Sequence, residues 1–465
     1  MAPREADPGS VAFLVAELGR SGGMSVIRRH AEFLAGEGWD VALVVTDPKM
    51  DRGLSETQDR VPVLSLRDAA NRRWGVAVAT WWTTAESLWA LDARRRAIFL
   101  QNVEHRFYRE QEVPDQLAAM GVFDLPVDYL VIADYMVEML SEMRPSARVH
   151  LVRNGVDKKT FTRPRAEGAA RADPLRILIE GQPTLWFKGI AEALCATAAM
   201  SEPRVVTLVV HDLGSLALAD LAHPPDRVLG QLGSAEMADL YADADVLLKL
   251  SRFEGSPLPP LEAFHMETPV VVTPFSGHEE QIADGINGLI VGFDDIVGTT
   301  RALDRLATDR DLLGRLSAGA LESARRWPDQ PAASGAFRDA LINLLTEEEK
   351  VPEAEVLAAM SAGRRRTAEV ARELWRRQRV AETARQGEVV WYADAYEQAT
   401  ATATEHHRIA VDRKAEIEDL AERLEEQFNE VRAWIATVEE IRQSRAYRLG
   451  LALRRPLDWL RGWRR

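Results

Sequence analysis

The chain of 465 residues contains a single cysteine, Cys195. One thiol cannot form an internal disulfide, a cysteine zinc cluster or a CxxC redox pair, so none of these organises the protein. Long apolar runs are missing too. No stretch is long and apolar enough to span a bilayer, and the first ten residues, Met1 to Ser10, lack the apolar core of a signal peptide. The expectation is a cytoplasmic protein. Positive charge is in deficit, with 58 Lys and Arg against 72 Asp and Glu and a formal net charge of −14. A nucleic-acid backbone would be repelled by that excess, which argues against general nucleic-acid binding. What is present is 46% hydrophobic and 28% charged residues over a length that exceeds one core. Two domains with an appendage are expected.

From Val11 to about Val156, short apolar runs alternate with helical patterns: Val11 to Ala16, Val41 to Val45, Val61 to Leu64, Val76 to Ala79, Ala97 to Leu100 and Tyr129 to Ile132. Near-continuous apolar strands separated by helices signal a parallel sheet covered on both faces. A second series follows the polar stretch Arg163 to Pro174, with strands at Leu175 to Ile179, Val205 to Val210, Val246 to Leu248 and Val270 to Val272. Its helices are expected over Gly189–Met200, Ala235–Ala244 and Pro257–Met266. The reading is α/β, with two doubly wound Rossmann-like domains, 1–162 and 163–346, facing a cleft.

Beyond residue 346 the chain becomes rich in Ala, Glu and Arg, which reads as long helices. Ile417, Leu420, Leu424, Gln427, Val431, Trp434, Val438 and Ile441 occupy successive heptad a and d positions, as in a short coiled coil or a helix folded onto the body. The helical extension is taken as 347–441, with 410–441 available for self-association or a partner protein. In the tail, 442–465, eight arginines face only Asp458 and alternate with leucines, Trp459 and Trp463. That pattern suits an anionic membrane surface, the alternative being pairing with the acidic body of the same chain.

The densest chemistry lies at Glu254-Gly-Ser-Pro-Leu-Pro-Pro-Leu-Glu262, between a strand Val246 to Leu250 and a helix opening at Pro257. Gly255 lets the backbone come close to a ligand, Pro257 suits an early helical position, and the amides of Ser256 and Leu258 lie where a phosphate is attracted. Two carboxylates would repel that phosphate, so they are expected to address hydroxyls. A donor with a sugar and a ribose joined by diphosphate meets all three requirements.

At these residues the sequence resembles family 4 glycosyltransferases, retaining enzymes of the GT-B architecture. Glu254 and Glu262, with seven residues between them, match the family's hallmark. Tyr241 to Val246 resembles its lead-in, Pro269 to Thr273 its exit, Ser276 to Val291 its later glycine-rich segment, and Val152-Arg-Asn-Gly-Val-Asp157 its domain junction. The resemblance implies that Glu254 contacts the transferred sugar, Glu262 the ribose, and Ser256 and Leu258 the diphosphate. It implies Lys188 as the family's phosphate lysine, and no metal or other cofactor. One position departs: six residues before Lys188 stands Gln182, where the family has arginine, and Arg252 is a candidate replacement.

In the first domain, Gly22 and Gly23 occupy the family's glycine loop, and His105 follows an apolar strand where the family places a histidine near the sugar. Trp81, Trp82 and Tyr108 are either sugar platforms or core. Asp243-Ala-Asp245 ends a helix before a strand and reads as a cap rather than a metal pair. The stretches Ser21 to His30 and Gln101 to Tyr108 resemble rhamnosyltransferases of bacterial surface polysaccharides. The implied activity is hexosyl transfer, rhamnosyl included, to a glycan or lipid-linked glycan at the inner membrane face. A catalytically reduced scaffold, motivated by Gln182 and the extension, is the alternative.

Overall fold

The computed structural model describes residues 9–346 apart from 20, 48–59, 110–111, 146, 163–173, 215–220 and 222. The coiled coil expected over 410–441, the remaining extension and the tail 442–465 lie outside the described residues. Among the described residues no helix is long and apolar enough to cross a membrane.

The first sheet has seven parallel strands: β1 (Ser10–Val15), β2 (Asp40–Val45), β3 (Val63–Ser65), β4 (Arg73–Ala79), β5 (Asp92–Leu100), β6 (Asp128–Val131) and β7 (Val149–Leu151). Its order is β3-β2-β1-β4-β5-β6-β7. The helices in this half are α1 (Gly22–Gly36), α2 (Leu66–Ala70), α3 (Val113–Met120) and α4 (Asp134–Met143). The second sheet comprises β8 (Leu175–Glu180), β9 (Arg204–Val209), β10 (Arg227–Leu229), β11 (Val246–Lys249), β12 (Val270–Val272) and β13 (Gly288–Ile290), in the order β10-β9-β8-β11-β12-β13. Around it lie α5 (Ile190–Ala198), α6 (Ser234–Asp243), α7 (Leu258–His265), α8 (Ile296–Thr308) and α9 (Arg310–Arg326), and α10 (Gln330–Thr346) follows them in the chain.

Both sheets are all-parallel, and their central strands are buried on both faces, so the strands read as unbroken apolar runs. This is the doubly wound arrangement the alternation predicts. Three strands escaped the sequence reading: β7, β10 and β13. Each is three residues long and sits at a sheet edge, where a half-exposed strand carries too few side chains to show a period.

In each sheet the chain reverses direction of travel next to its first strand, between β1 and β4 and between β8 and β11. Crevices at the carboxyl ends of such switch points are where these sheets take ligands. Helix placement serves the same edge: Ser21 Oγ accepts the amide of Met24 at 3.2 Å and starts α1 directly after the first switch strand.

Helix α10 follows the second domain in sequence but packs in the core of the first, where Phe337, Ala340, Leu341 and Leu344 are buried among β1, β4 and β5 residues. Its Phe337 stacks on His30 of α1 with ring centroids 4.5 Å apart. The turn before it is fixed by the Val152 to Asp157 segment, where Val156 bridges to Asp329 and Gly155 lies so close that an added Cβ would stand 2.5 Å from Asp329 O.

Candidate functional site

The carboxyl ends of β8 and β11 carry the site. Leu248 is in register with Ile179, so the next residues along, Lys249 and Glu180, end neighbouring strands. The chain then runs through Leu250 to Phe253 and delivers Glu254 to a cluster of cations. Its Oε1 lies 2.8 Å from Lys188 Nζ, 3.0 Å from Lys249 Nζ and 2.8 Å from the Ser251 hydroxyl. Burial alone would raise the Glu254 pKa, but the charges and hydrogen bonds of Lys188 and Lys249 outweigh it and hold the carboxyl at about 2. It is an anion at every physiological pH.

Lys188 is positioned by a tight turn that ends at Gly189 in the left-handed region, φ 65°. A Cβ at Gly189 would lie 2.1 Å from Leu250 O, so glycine is required for the turn to pack on the strand exit. The structure thus brings two predicted residues, Glu254 and Lys188, into contact, and adds two that the sequence reading missed, Lys249 and Ser251. A lysine closing an otherwise apolar strand was the available signal for Lys249.

Helix α7 begins at Leu258 with Pro257 as its extended cap. Ser256 and Leu258 therefore flank the helix start, where backbone amides have no partner inside the helix. Ser256 is held from two sides: Gln281 Nε2 donates to its hydroxyl at 2.9 Å, and Asn154 Nδ2 donates to its carbonyl at 3.1 Å. Glu262, one turn into α7, accepts from the Tyr241 hydroxyl at 3.4 Å. Burial pushes its pKa up to about 7, with the Arg29 charge opposing and the Glu180 charge adding to the shift.

The first domain meets this edge at Gln101. A Cβ on Gly255 would lie 1.9 Å from Gln101 O, and one on Gly23 would lie 3.3 Å from Gln101 Nε2. Gly255, expected to bring the backbone close to a ligand, is packed instead on the first domain's own backbone. Gly22, exposed at the start of α1, has open space around it. Tyr135 of α4 donates its hydroxyl to Glu254 O at 2.9 Å, and Asp134 N donates to Glu280 Oε1 at 2.7 Å. Around them runs an aromatic bridge: Trp81 stacks on Phe107, Phe107 on Phe187, and Phe187 on Phe253, with centroids 5.7, 4.8 and 5.0 Å apart.

His105 lies on the short helical turn Glu104–Phe107 of this bridge. Its Nδ1 is buried without a hydrogen-bond partner, and burial, aided by the Arg106 charge, lowers its pKa. The shift favours the neutral imidazole. Neighbouring Glu104 is pushed up to about 8 by burial, against the hydrogen bond its Oε2 accepts from Trp82 N at 2.7 Å. Trp82 Nε1 donates to Tyr108 at 2.8 Å, so these two rings brace each other.

The remaining predicted residues have other engagements. Gln182 is buried and bonded both ways to the Asp212 backbone, donating at 3.0 Å and accepting at 3.2 Å. Arg252 pairs with Asp294, at 3.1 Å through Nη1, and with Glu192 at 3.4 Å. Asp243 and Asp245 both bind Arg176, at 2.7 and 3.2 Å. Asp243 is the last residue of α6 and Ala244 its C-cap.

Two parallel-sheet Rossmann-like domains with this switch-point site define a GT-B fold. Residues 183–309, which include Lys188 to Glu262, match the family described as "Glycosyl transferases group 1". The chain is similar to sucrose-phosphate synthase from Thermosynechococcus elongatus, with a TM-score of 0.60 and 15% identity over 73% of this chain and 99% of the other. It is also similar to HepE of Anabaena in complex with UDP-glucose, with a TM-score of 0.58 and 13% identity over 72% of this chain and 100% of the other. Both are likenesses of fold.

Among curated relatives, the D-inositol 3-phosphate glycosyltransferase of Xylanimonas cellulosilytica is 32% identical over 209 residues, 40% of this chain and 50% of that protein. Its counterpart in Stackebrandtia nassauensis is 30% identical over 231 residues, 49% of this chain and 45% of that protein. The chain spans about half the length of the curated relatives it matches.

Proposed function

We propose that this protein is a metal-independent, retaining glycosyltransferase that moves a hexosyl group from a nucleoside-diphosphate sugar to a hydroxyl of a glycan or lipid-linked glycan. The observation that carries this reading is Glu254, a carboxylate kept ionised between Lys188, Lys249 and Ser251 beside the start of α7. An ionised carboxylate accepts from sugar hydroxyls, while Lys188 and the helix start offer positive potential to a departing diphosphate. Glu262 one turn further suits the ribose hydroxyls. In the transfer, the bond from sugar C1 to the diphosphate oxygen breaks, a bond to the acceptor oxygen forms, and the acceptor's proton leaves with the nucleoside diphosphate.

Retention, a rhamnosyl group and an acceptor at the inner membrane face rest on the sequence resemblance and on the composition of 442–465. The names of the curated relatives support a second acceptor, a phosphorylated cyclitol. The test is a panel of UDP-, GDP- and dTDP-sugars with lipid-linked glycan and D-inositol 3-phosphate as acceptors. Release of nucleoside diphosphate with product formation, abolished by Glu254→Ala, is expected. A wild-type protein inert with all donors, and not stabilised by any of them, supports the scaffold instead. A bound donor at one hundred times its Kd stabilises by about 2.7 kcal/mol, which a thermal scan detects.

A further inference from the structure

Lys249 is 3% exposed, at the end of a strand whose other residues are Val246, Leu247 and Leu248. A buried ammonium is costly unless it is paired. Here it is paired twice, with Glu254 Oε1 at 3.0 Å and Glu180 Oε2 at 3.4 Å. Lys188 approaches the same Glu254 oxygen, but its side chain is 21% exposed against 2% for Lys249, and it rides on a short turn rather than a strand.

Two lysines on one carboxylate have different freedoms. Lys188 is partly exposed and can turn toward an arriving ligand; Lys249 is enclosed between two strand ends. A site with Lys188 alone would force it to choose between Glu254 and an arriving diphosphate. Leaving Glu254 without a cation in this buried position would raise its pKa and weaken it as an acceptor.

We propose that Lys249 is a positioning residue that holds the Glu254 carboxylate from behind, so that Lys188 is released to the diphosphate of the donor. This rests on the donor reading given above. Ser251, 2.8 Å from the same oxygen, shares the holding role. The arrangement also makes up for Gln182, which brings no charge to the site and is engaged with the Asp212 backbone. The cation is supplied one strand over, from β11.

The test measures binding of UDP, GDP and dTDP by calorimetry, using whichever binds the wild type most tightly. Lys249→Met is expected to weaken binding at least tenfold, because Lys188 stays committed to Glu254. Adding Glu254→Gln is expected to restore most of that affinity by removing the carboxylate that captures Lys188, a rescue that a merely structural role does not produce. Where donor turnover is measured, the acid limb of kcat/KM moves toward neutrality in Lys249→Met and returns in Lys249→Arg. If Lys249→Met does not fold, Lys249→Met with Glu180→Gln removes a cation and an anion together and carries the same readings. Unchanged affinity in the folded Lys249 variants, or no recovery on adding Glu254→Gln, overturns the role of Lys249. Failure of all three nucleotides to bind the wild type overturns the donor reading instead.

Discussion

Tyr135 of the first domain donates its hydroxyl, at 2.9 Å, to the main-chain carbonyl of Glu254 in the second. The same ring lies against Gly277, where an added Cβ would be 2.7 Å from Tyr135 Cδ1. One first-domain ring thus holds two second-domain backbone positions, that of the central carboxylate among them. Tyr135→Phe keeps the packing and removes the bond, so a loss of about 1 kcal/mol is expected by denaturant titration. Donor turnover is expected to fall by more than thermal stability alone accounts for.

Glu254 is coupled to acid stability. Its pKa is held at about 2 against an ordinary 4.5, so its contribution is complete above about pH 4.5 and is lost as pH falls toward 2. The shift corresponds to on the order of 3 kcal/mol. Glu254→Gln should be less stable than wild type at pH 7 and should lose less stability than wild type between pH 5 and 3. Parallel curves would show that the lysine pairing does not stabilise the fold.

His30 and His265 produce a second acid transition at higher pH. Burial lowers their pKa values to about 3 and about 4, with the Arg29 and Lys158 charges adding to the effect. Both are neutral when folded, so stability is complete above about pH 6.5 and declines as pH falls through the range to about 3. The thermal midpoint should drop across that window, and His30→Phe should flatten part of the slope.

Glu262 titrates near neutrality, at about 7. If its carboxylate accepts from ribose hydroxyls, nucleoside diphosphate binding should tighten as pH rises from 6 to 8. Calorimetry on Glu262→Gln should show weaker binding without that slope. An equal slope in the variant would assign it to the nucleotide or another group.

Deleting residues 442–465 should abolish binding to anionic vesicles and leave transfer to soluble acceptors intact. Vesicle flotation checks the first outcome and a soluble-acceptor assay the second. Binding that survives the deletion would remove the membrane role from this segment.

The parallel sheets were legible because a strand buried on both faces must be apolar throughout, as Val11 to Val15 and Val246 to Leu248 are. The edge strands β7, β10 and β13 were not, since three half-exposed residues leave no pattern. Glu254 and Lys188 were legible from spacing and resemblance. Lys249, Ser251 and Tyr135 were not, because each becomes relevant only through a neighbour distant in sequence or across the strand exit.

By itself, then, the sequence determined two doubly wound domains and the identity of the carboxylates at the second switch point, because buried periodicity and a helix start after a strand are local properties. The ionisation state of those carboxylates was decided by tertiary structure. Glu254 and Glu262 are the same residue type on one short segment, yet one is held at about 2 and the other at about 7. Burial raises both; at Glu254 it is outweighed by Lys188 and Lys249, 2.8 and 3.0 Å away, whereas at Glu262 it prevails, with the Arg29 charge opposing and the Glu180 charge adding.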